Sequence, residues 1–366
     1  MCVDKESLGG SLFSYRKKDR RICMKITRFA DSHASLFCLT NRSGMEVTVT
    51  SIGATLVSIR VPDRSGNLVD VLLGYDSPAG YYANASAHGA LVGRYANRIG
   101  GAQFELNGKT WQLDVNEGAN VLHGGNDKYF HRDWMAEPDE EGNQVSFTLY
   151  SPDLDQGMPG NAKIRVTYSL DDDNNLGIVY EAVSDKDTYF NLTNHSYFNL
   201  DGHGAGSIYE QELMLDCDRF AAIDSAFIPT GELRDLKGTP MDFTVSKPIG
   251  RDIDADYDQI RLGNGYDHNY VINAPGFEKP FAVARSSRTG IVMEVYTDLP
   301  GVQFYSGNNM GTDTGTKDGA DYVFRGAFCL ETQYYPDTPN KPQFPSNLFH
   351  AGETFSSKTV YRFYAE

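Results

Sequence analysis

Turn-forming residues interrupt this chain about every 8 to 15 positions, and the segments between them carry strand patterns. Windows that repeat at i, i+3, i+4 and i+7 are scarce, so helices contribute little to the fold. Residues 55–61 are β-branched and apolar and stop at a turn, Pro62-Asp63-Arg64-Ser65-Gly66. Residues 103–106 and 109–113 alternate on either side of Asn107-Gly108, the pair that supplies the positive φ values of a type I′ hairpin turn. Residues 162–170 face residues 176–183 across an Asp/Asn-rich turn, 281–284 face 291–296, and the chain ends on a strand at 359–364. The 36 Gly, 22 Tyr and 20 Phe favour turns and strands. The expected fold class is all-β, a large antiparallel β-sandwich forming one domain over residues 24–366. All-β domains of well over about 200 residues are ordinary.

Residues 1–23 are charged every few positions, with a basic run at 16–21, and are expected to be a flexible N-terminal extension. No apolar run approaches the roughly 18 residues that span a bilayer, so no membrane partner is expected. The 49 acidic and 33 basic residues leave a net charge of −16, which repels phosphate backbones and argues against a nucleic-acid partner. The five cysteines (Cys2, Cys23, Cys38, Cys217 and Cys329) are odd in number and form no CxxC pair. That pattern suits neither a disulfide framework nor a zinc ribbon and points to a reducing, cytoplasmic compartment.

Four regions gather polar, aromatic and titratable residues beyond what a plain strand needs. They are residues 93–100 with Asn97 and Arg98, residues 120–125 with His123, residues 191–200 with His195 and Tyr197, and a last group holding Asp267, Gln303 and Glu331. Each has a plain reading alone. A single His in a β protein is usually a surface or core residue, and Gly124-Gly125 can be only a turn. Glu331 follows the apolar run 327–330, so a strand carries it toward the core, where a Glu needs a partner. The irregular stretches 307–321 and 334–345 are long enough to frame a site. Two glycosylation sequons, at Asn191 and Asn194, fall inside the His195 region and are read as chance matches.

Taken together and in order, these elements resemble the aldose 1-epimerase (galactose mutarotase) family, from about Thr27 to the end of the chain. The resemblance rests on Asn97-Arg98, Asn-x-Leu-His-Gly-Gly at 120–125, Asn-His-Ser-Tyr-Phe-Asn-Leu at 194–200, Asp-His-Asn at 267–269, Gln303 and Glu-Thr-Gln at 331–333. It implies a β-sandwich with an open sugar-binding cleft, His195 as general acid and Glu331 as general base. It also implies that Asn97, Arg98, His123, Asp267 and Gln303 bind sugar hydroxyls. After Gly125 the chain departs from the family's frequent Lys-Gly-Phe, a difference that bears on the cleft edge.

The implied reaction interconverts the α and β anomers of free hexoses such as D-galactose and D-glucose. Ring opening takes a proton from the C1 hydroxyl and gives one to the ring oxygen, so a carboxylate and an imidazolium suffice without cofactor or metal. Tyr197 offers an aromatic face for the sugar's C–H groups. A carboxylate beside His195 is expected to raise its pKa and to be lowered itself. A monomer or weak homodimer is expected. The alternatives are a hexose-6-phosphate mutarotase, which needs an added basic cluster, and a non-catalytic carbohydrate-binding protein. A His123/His195/Asp267/Glu331 metal site and a two-carboxylate glycosidase stand further back.

Overall fold

The structure, a computed structural model, describes residues 23–29 and 32–366. The expected extension lies outside these residues, except for the backbone of Cys23, where the first strand begins. Strands Cys23–Arg28, Ser35–Thr40, Glu46–Thr50, Thr55–Pro62 and Leu68–Asp70 follow one another in a five-stranded antiparallel meander. A nine-stranded antiparallel sheet starts Met135–Asp139, Gln144–Ser151, Ala162–Leu170, Asn175–Ser184. It then crosses to the C-terminal strand Thr354–Ala365 and continues through Ile291–Thr297 and Ala282–Arg285. Side-chain period decides which face is covered. Ala162, Ile164, Val166, Tyr168 and Leu170 point inward while Lys163 faces water. The meander packs on that apolar face, with Phe37 meeting Phe147 edge-on at 5.6 Å between ring centroids.

A second five-stranded sheet carries the chemistry. Its order is Pro229–Asp235, Cys217–Ile223, Asp267–Ile272, Gly301–Tyr305, Cys329–Gln333. The C-terminal strand ties it to the nine-stranded sheet. There the Tyr361 hydroxyl donates to the Leu330 carbonyl at 3.1 Å, and the hydroxyls of Thr332 and Thr359 share a hydrogen bond of 2.6 Å. The fold is therefore all-β, as the strand patterns predict. The described residues contain two short α-helices, Pro78–Ala83 and Asp258–Gly263, and no helix long and apolar enough to cross a membrane.

The predicted hairpins form. Asn107 and Gly108 take φ of 54° and 72° between Gln103–Leu106 and Lys109–Gln112. The final strand starts earlier than its apolar pattern, at Thr354, because Ser357 is small enough to occupy a buried position in the alternation.

Candidate active site

Register in the second five-stranded sheet sets the site. Asn269 pairs with Gln303, Gln303 with Glu331, and Asp267 with Tyr305. Every residue of Gly301–Tyr305 and Cys329–Gln333 is buried, so Glu331 is carried inward. The short strand Thr193–His195 pairs with Ala90–Val92 and lies against Cys329–Gln333, which brings His195 Nε2 to 3.5 Å from Glu331 Oε1. His195 is 6% exposed and Glu331 2%. Together they line a cleft of about 330 Å³ with Asn97, Arg98, His123 and Asp267. A larger groove of about 710 Å³ lies on the nine-stranded sheet, lined by residues such as Asp171, Lys358 and Arg362, and none of the predicted site residues faces it.

Two loop segments lock each other on one wall. The Asn97 N–H donates to His123 Nδ1 at 3.1 Å, and the His123 N–H donates to the Asn97 carbonyl at 3.0 Å. Both residues hold left-handed φ, 62° and 54°, a strain that the reciprocal bonds sustain. Gly124 follows at φ 88°, where a Cβ would stand 2.2 Å from the Gly93 carbonyl oxygen, so this Gly-Gly is a close backbone approach as well as a turn. The loop at 334–345 braces the same segment from outside the cleft. Asp337 accepts the Gly100 N–H at 2.9 Å and donates its own N–H to the Arg98 carbonyl at 2.8 Å.

Arg98 points a bidentate fork at Glu117, at 2.6 and 2.7 Å. Burial lowers its pKa, but the Glu117 contact and the nearby Asp267 outweigh that and hold it above its ordinary value. With its charge committed to Glu117, Arg98 is not a free phosphate-binding cation, and the hexose-6-phosphate alternative is not favoured. Asp267 accepts the Gln303 amide at 2.6 Å. Burial raises Asp267 against the pull of Arg98 and Gln303. Gln303 itself stands behind Asp267, with Gln333 Nε2 donating to its Oε1 at 3.4 Å, and it is absent from the cleft lining. Tyr197 lines the cleft, but one face of its ring is stacked on the His195 imidazole, with centroids 4.9 Å apart at 24°.

The expected electrostatics of the pair are reversed. Burial pushes Glu331 well above the usual carboxylate range, with Asp267 adding and Arg98 opposing. Burial likewise brings His195 down to about 3, reinforced by the charges of His88 and Lys128. Desolvation of both groups outweighs their mutual attraction. Both shifts disfavour the ionic carboxylate–imidazolium form of the pair.

His123, His195 and Glu331 place one donor atom each within 4.8 Å of the others, a spacing a cation could use. The tautomer of His123 opposes that use. A backbone N–H can only donate, so His123 Nδ1 is an acceptor and the proton of the neutral ring sits on Nε2. Burial, with His195, Lys128 and Arg98, keeps that ring neutral. His123 thus offers the cleft an N–H donor suited to a hydroxyl oxygen, not a lone pair suited to a metal.

The remaining predicted features fall into place. Asn191 and Asn194 are buried, and their amides donate to the Ala96 and Gly89 carbonyls, so neither sequon is accessible to a glycan. The loop at 307–321 contributes Asn309, Met310 and Thr312 to the cleft. Sequence reasoning missed Lys128, which enters the lining from the stretch that departs from the family pattern; that departure was the available signal. Burial lowers its pKa.

This geometry matches a known family. The aldose 1-epimerase family model covers residues 35–362. This chain belongs to the aldose 1-epimerase family. It is 39% identical to the galactose mutarotase of Bos taurus over 319 residues, 87% of this chain and 91% of that one. It is also 39% identical to the aldose 1-epimerase of Escherichia coli K12 over 336 residues, 90% and 95% of the two chains. Among solved structures, an aldose epimerase homologue from C. elegans superposes with a TM-score of 0.83 at 30% identity, covering 91% of this chain and 99% of that one. A galactose 1-epimerase from Lactobacillus acidophilus gives 0.82 at 29%, covering 94% and 99%. The enzyme is an isomerase of this type.

Proposed function

We propose that the enzyme opens and recloses the hemiacetal ring of free aldoses, D-galactose and D-glucose among them, through the His195–Glu331 pair. The observation that carries this reading is a titratable acid and base 3.5 Å apart, both buried, at the floor of a sugar-sized polar cleft. A non-catalytic sugar-binding protein would have no use for that contact.

Glu331 removes the proton from the C1 hydroxyl and His195 Nε2 delivers one to the ring oxygen; rotation about C1–C2 and the reverse transfers give the other anomer. The form with protonated Glu331 and neutral His195 carries as many protons as the form with carboxylate and imidazolium. One shift across the 3.5 Å gap interconverts them. Arg98 favours the ionic form by attracting the Glu331 carboxylate. Each group serves as acid in one direction and base in the other, so a single shared proton is what the cycle needs. The His123 Nε2–H, Asn97, Arg98 and Asp267 are assigned to the sugar hydroxyls, and Tyr197 to the His195 ring as well as the cleft wall.

A cytoplasmic setting, as a monomer or weak homodimer, accompanies this reading. The free thiols of Cys38, Cys217 and Cys329 and the buried sequons support it. Polarimetry of freshly dissolved α-D-glucose and α-D-galactose is the test. The wild type is expected to accelerate anomerisation, and Glu331→Gln and His195→Asn each to lose at least about 10²-fold in kcat. Near wild-type rates in either variant would refute the assignment.

A further inference from the structure

A second imidazole lies behind the cleft wall and takes no part in the proton transfers above. His88 is fully buried, and its Nε2 stands 3.3 Å from Oδ1 of the buried Asp313. The same carboxylate oxygen accepts the hydroxyls of Ser86 at 2.7 Å and Tyr75 at 3.1 Å. Burial alone would raise Asp313, but His88, Ser86 and Tyr75 outweigh it and hold the group at about 2. Asp313 is therefore an anion buried in the protein, and among its three partners only His88 can carry the opposite charge. The His88 ring meets Tyr197 edge-on, with centroids 4.5 Å apart at 75°. Tyr197 in turn stacks on His195 at 4.9 Å. Asp313, His88, Tyr197 and His195 thus form one continuous line that ends at Glu331.

We propose that His88 and Asp313 are positioning residues for the proton-transfer pair, a buried imidazole–carboxylate couple that acts on His195 through the Tyr197 ring. The proposal rests on the mutarotase reading of the site. The couple has two physical effects. Tyr197 is held between His88 and His195, with Tyr305 edge-on at 6.1 Å, so its ring cannot turn without displacing an imidazole. That fixes the plane from which His195 Nε2 meets Glu331. The second effect is electrostatic. Among the influences that keep His195 low, His88 ranks next after burial.

The surroundings leave little else to do this. The titratable groups packed on His88 are Asp313 and the phenols of Tyr75, Tyr197 and Tyr322. Burial raises all three phenols, so Asp313 is the ionised member. His195 is faced by Glu331, by His123 at 5.3 Å, by Tyr305 at 6.4 Å and by the Cys329 thiol at 3.5 Å, with Lys128 as a further cation.

The test combines kinetics with nitrogen-detected imidazole NMR on the full chain. His88→Gln keeps a polar side chain beside Asp313 and removes the imidazole ring. Asp313→Asn keeps the size and removes the anion. Each folded variant is expected to lose about 10-fold in kcat with KM within about 2-fold, as a misaligned acid–base pair would. The His195 ring is expected to show a larger imidazolium fraction at about pH 5 than in the wild type, and the acid limb of the rate profile to move to higher pH. A purely structural role would lower the melting temperature and move neither readout. Wild-type kcat together with an unchanged His195 signal in folded His88→Gln overturns the proposal. If neither variant folds, the wild-type spectrum decides: a through-space contact between the His88 and Tyr197 rings must be seen, and its absence overturns the proposal. A wild type that anomerises no aldose refutes the function instead, and the His195 signal still reports the coupling.

Discussion

At the scale of single residues, burial sets the proton inventory of the site. His195 is brought down to about 3 and Glu331 is raised well above its ordinary range, both by burial. On the acid side the rate is expected to fall as His195 gains a proton, and on the alkaline side as Glu331 loses one. The profile of kcat/KM, with background anomerisation subtracted, is expected to be a broad bell whose acid limb lies well below the value near 6.5 of a free imidazole. An acid limb near 6.5 would contradict the buried-pair account. Asp267→Ala is expected to weaken sugar binding by about 1–3 kcal/mol, read as a rise in KM, because it removes a buried acceptor from the cleft. Gln303→Ala should raise KM less, since Gln303 reaches the cleft only through Asp267. Prolonged EDTA treatment is expected to leave activity intact, because the His123 Nε2 lone pair a metal would need carries a proton instead. Loss on chelation with recovery on added zinc would count against that tautomer.

At the scale of elements, the site is an assembly of loops pinned by strands. The hairpins, the last strand and the inward course of Glu331 are readable from alternation and turn chemistry because both are local. The pairing of Asn97 with His123 is not local, since it joins residues from separate loops through backbone groups that no side-chain pattern reports. Gly124 is the sensitive point of that union. Gly124→Ala puts a Cβ 2.2 Å from the Gly93 carbonyl at a φ of 88°, so the loop must shift. A stability loss of about 1–3 kcal/mol is expected, measured as a drop in denaturant midpoint, with a raised KM as His123 moves. Unchanged stability would mean that the loop has room the close approach denies it.

At the scale of the whole molecule, the nine-stranded sheet serves as the platform for both five-stranded sheets. The meander covers its apolar face, and the C-terminal strand hands Glu331's sheet its anchor through Tyr361 and Thr359. The meander's first strand starts at Cys23 and pairs with Ser35–Thr40. A chain beginning at Cys23 is therefore expected to keep the cooperative melt and the activity of the full chain. Residues 1–22 are highly charged and carry no strand pattern. Loss of the melt would show that the preceding residues complete a sheet.

The amino-acid order by itself determined the all-β class, the strand pairs joined by short turns and the set of short motifs that marks the family. Those properties rest on local alternation, on turn residues and on the order of short motifs. Tertiary structure alone decided how the set is used. The 3.5 Å contact, the upward shift of Glu331, the hydrogen bond of Gln303 to Asp267 and the stack of Tyr197 on His195 depend on residues far apart in the chain. Desolvation sums over everything packed around a group, and no local pattern carries that sum. The upward shift of Glu331 and the downward shift of His195 follow from depth of burial, which only the folded sheets create.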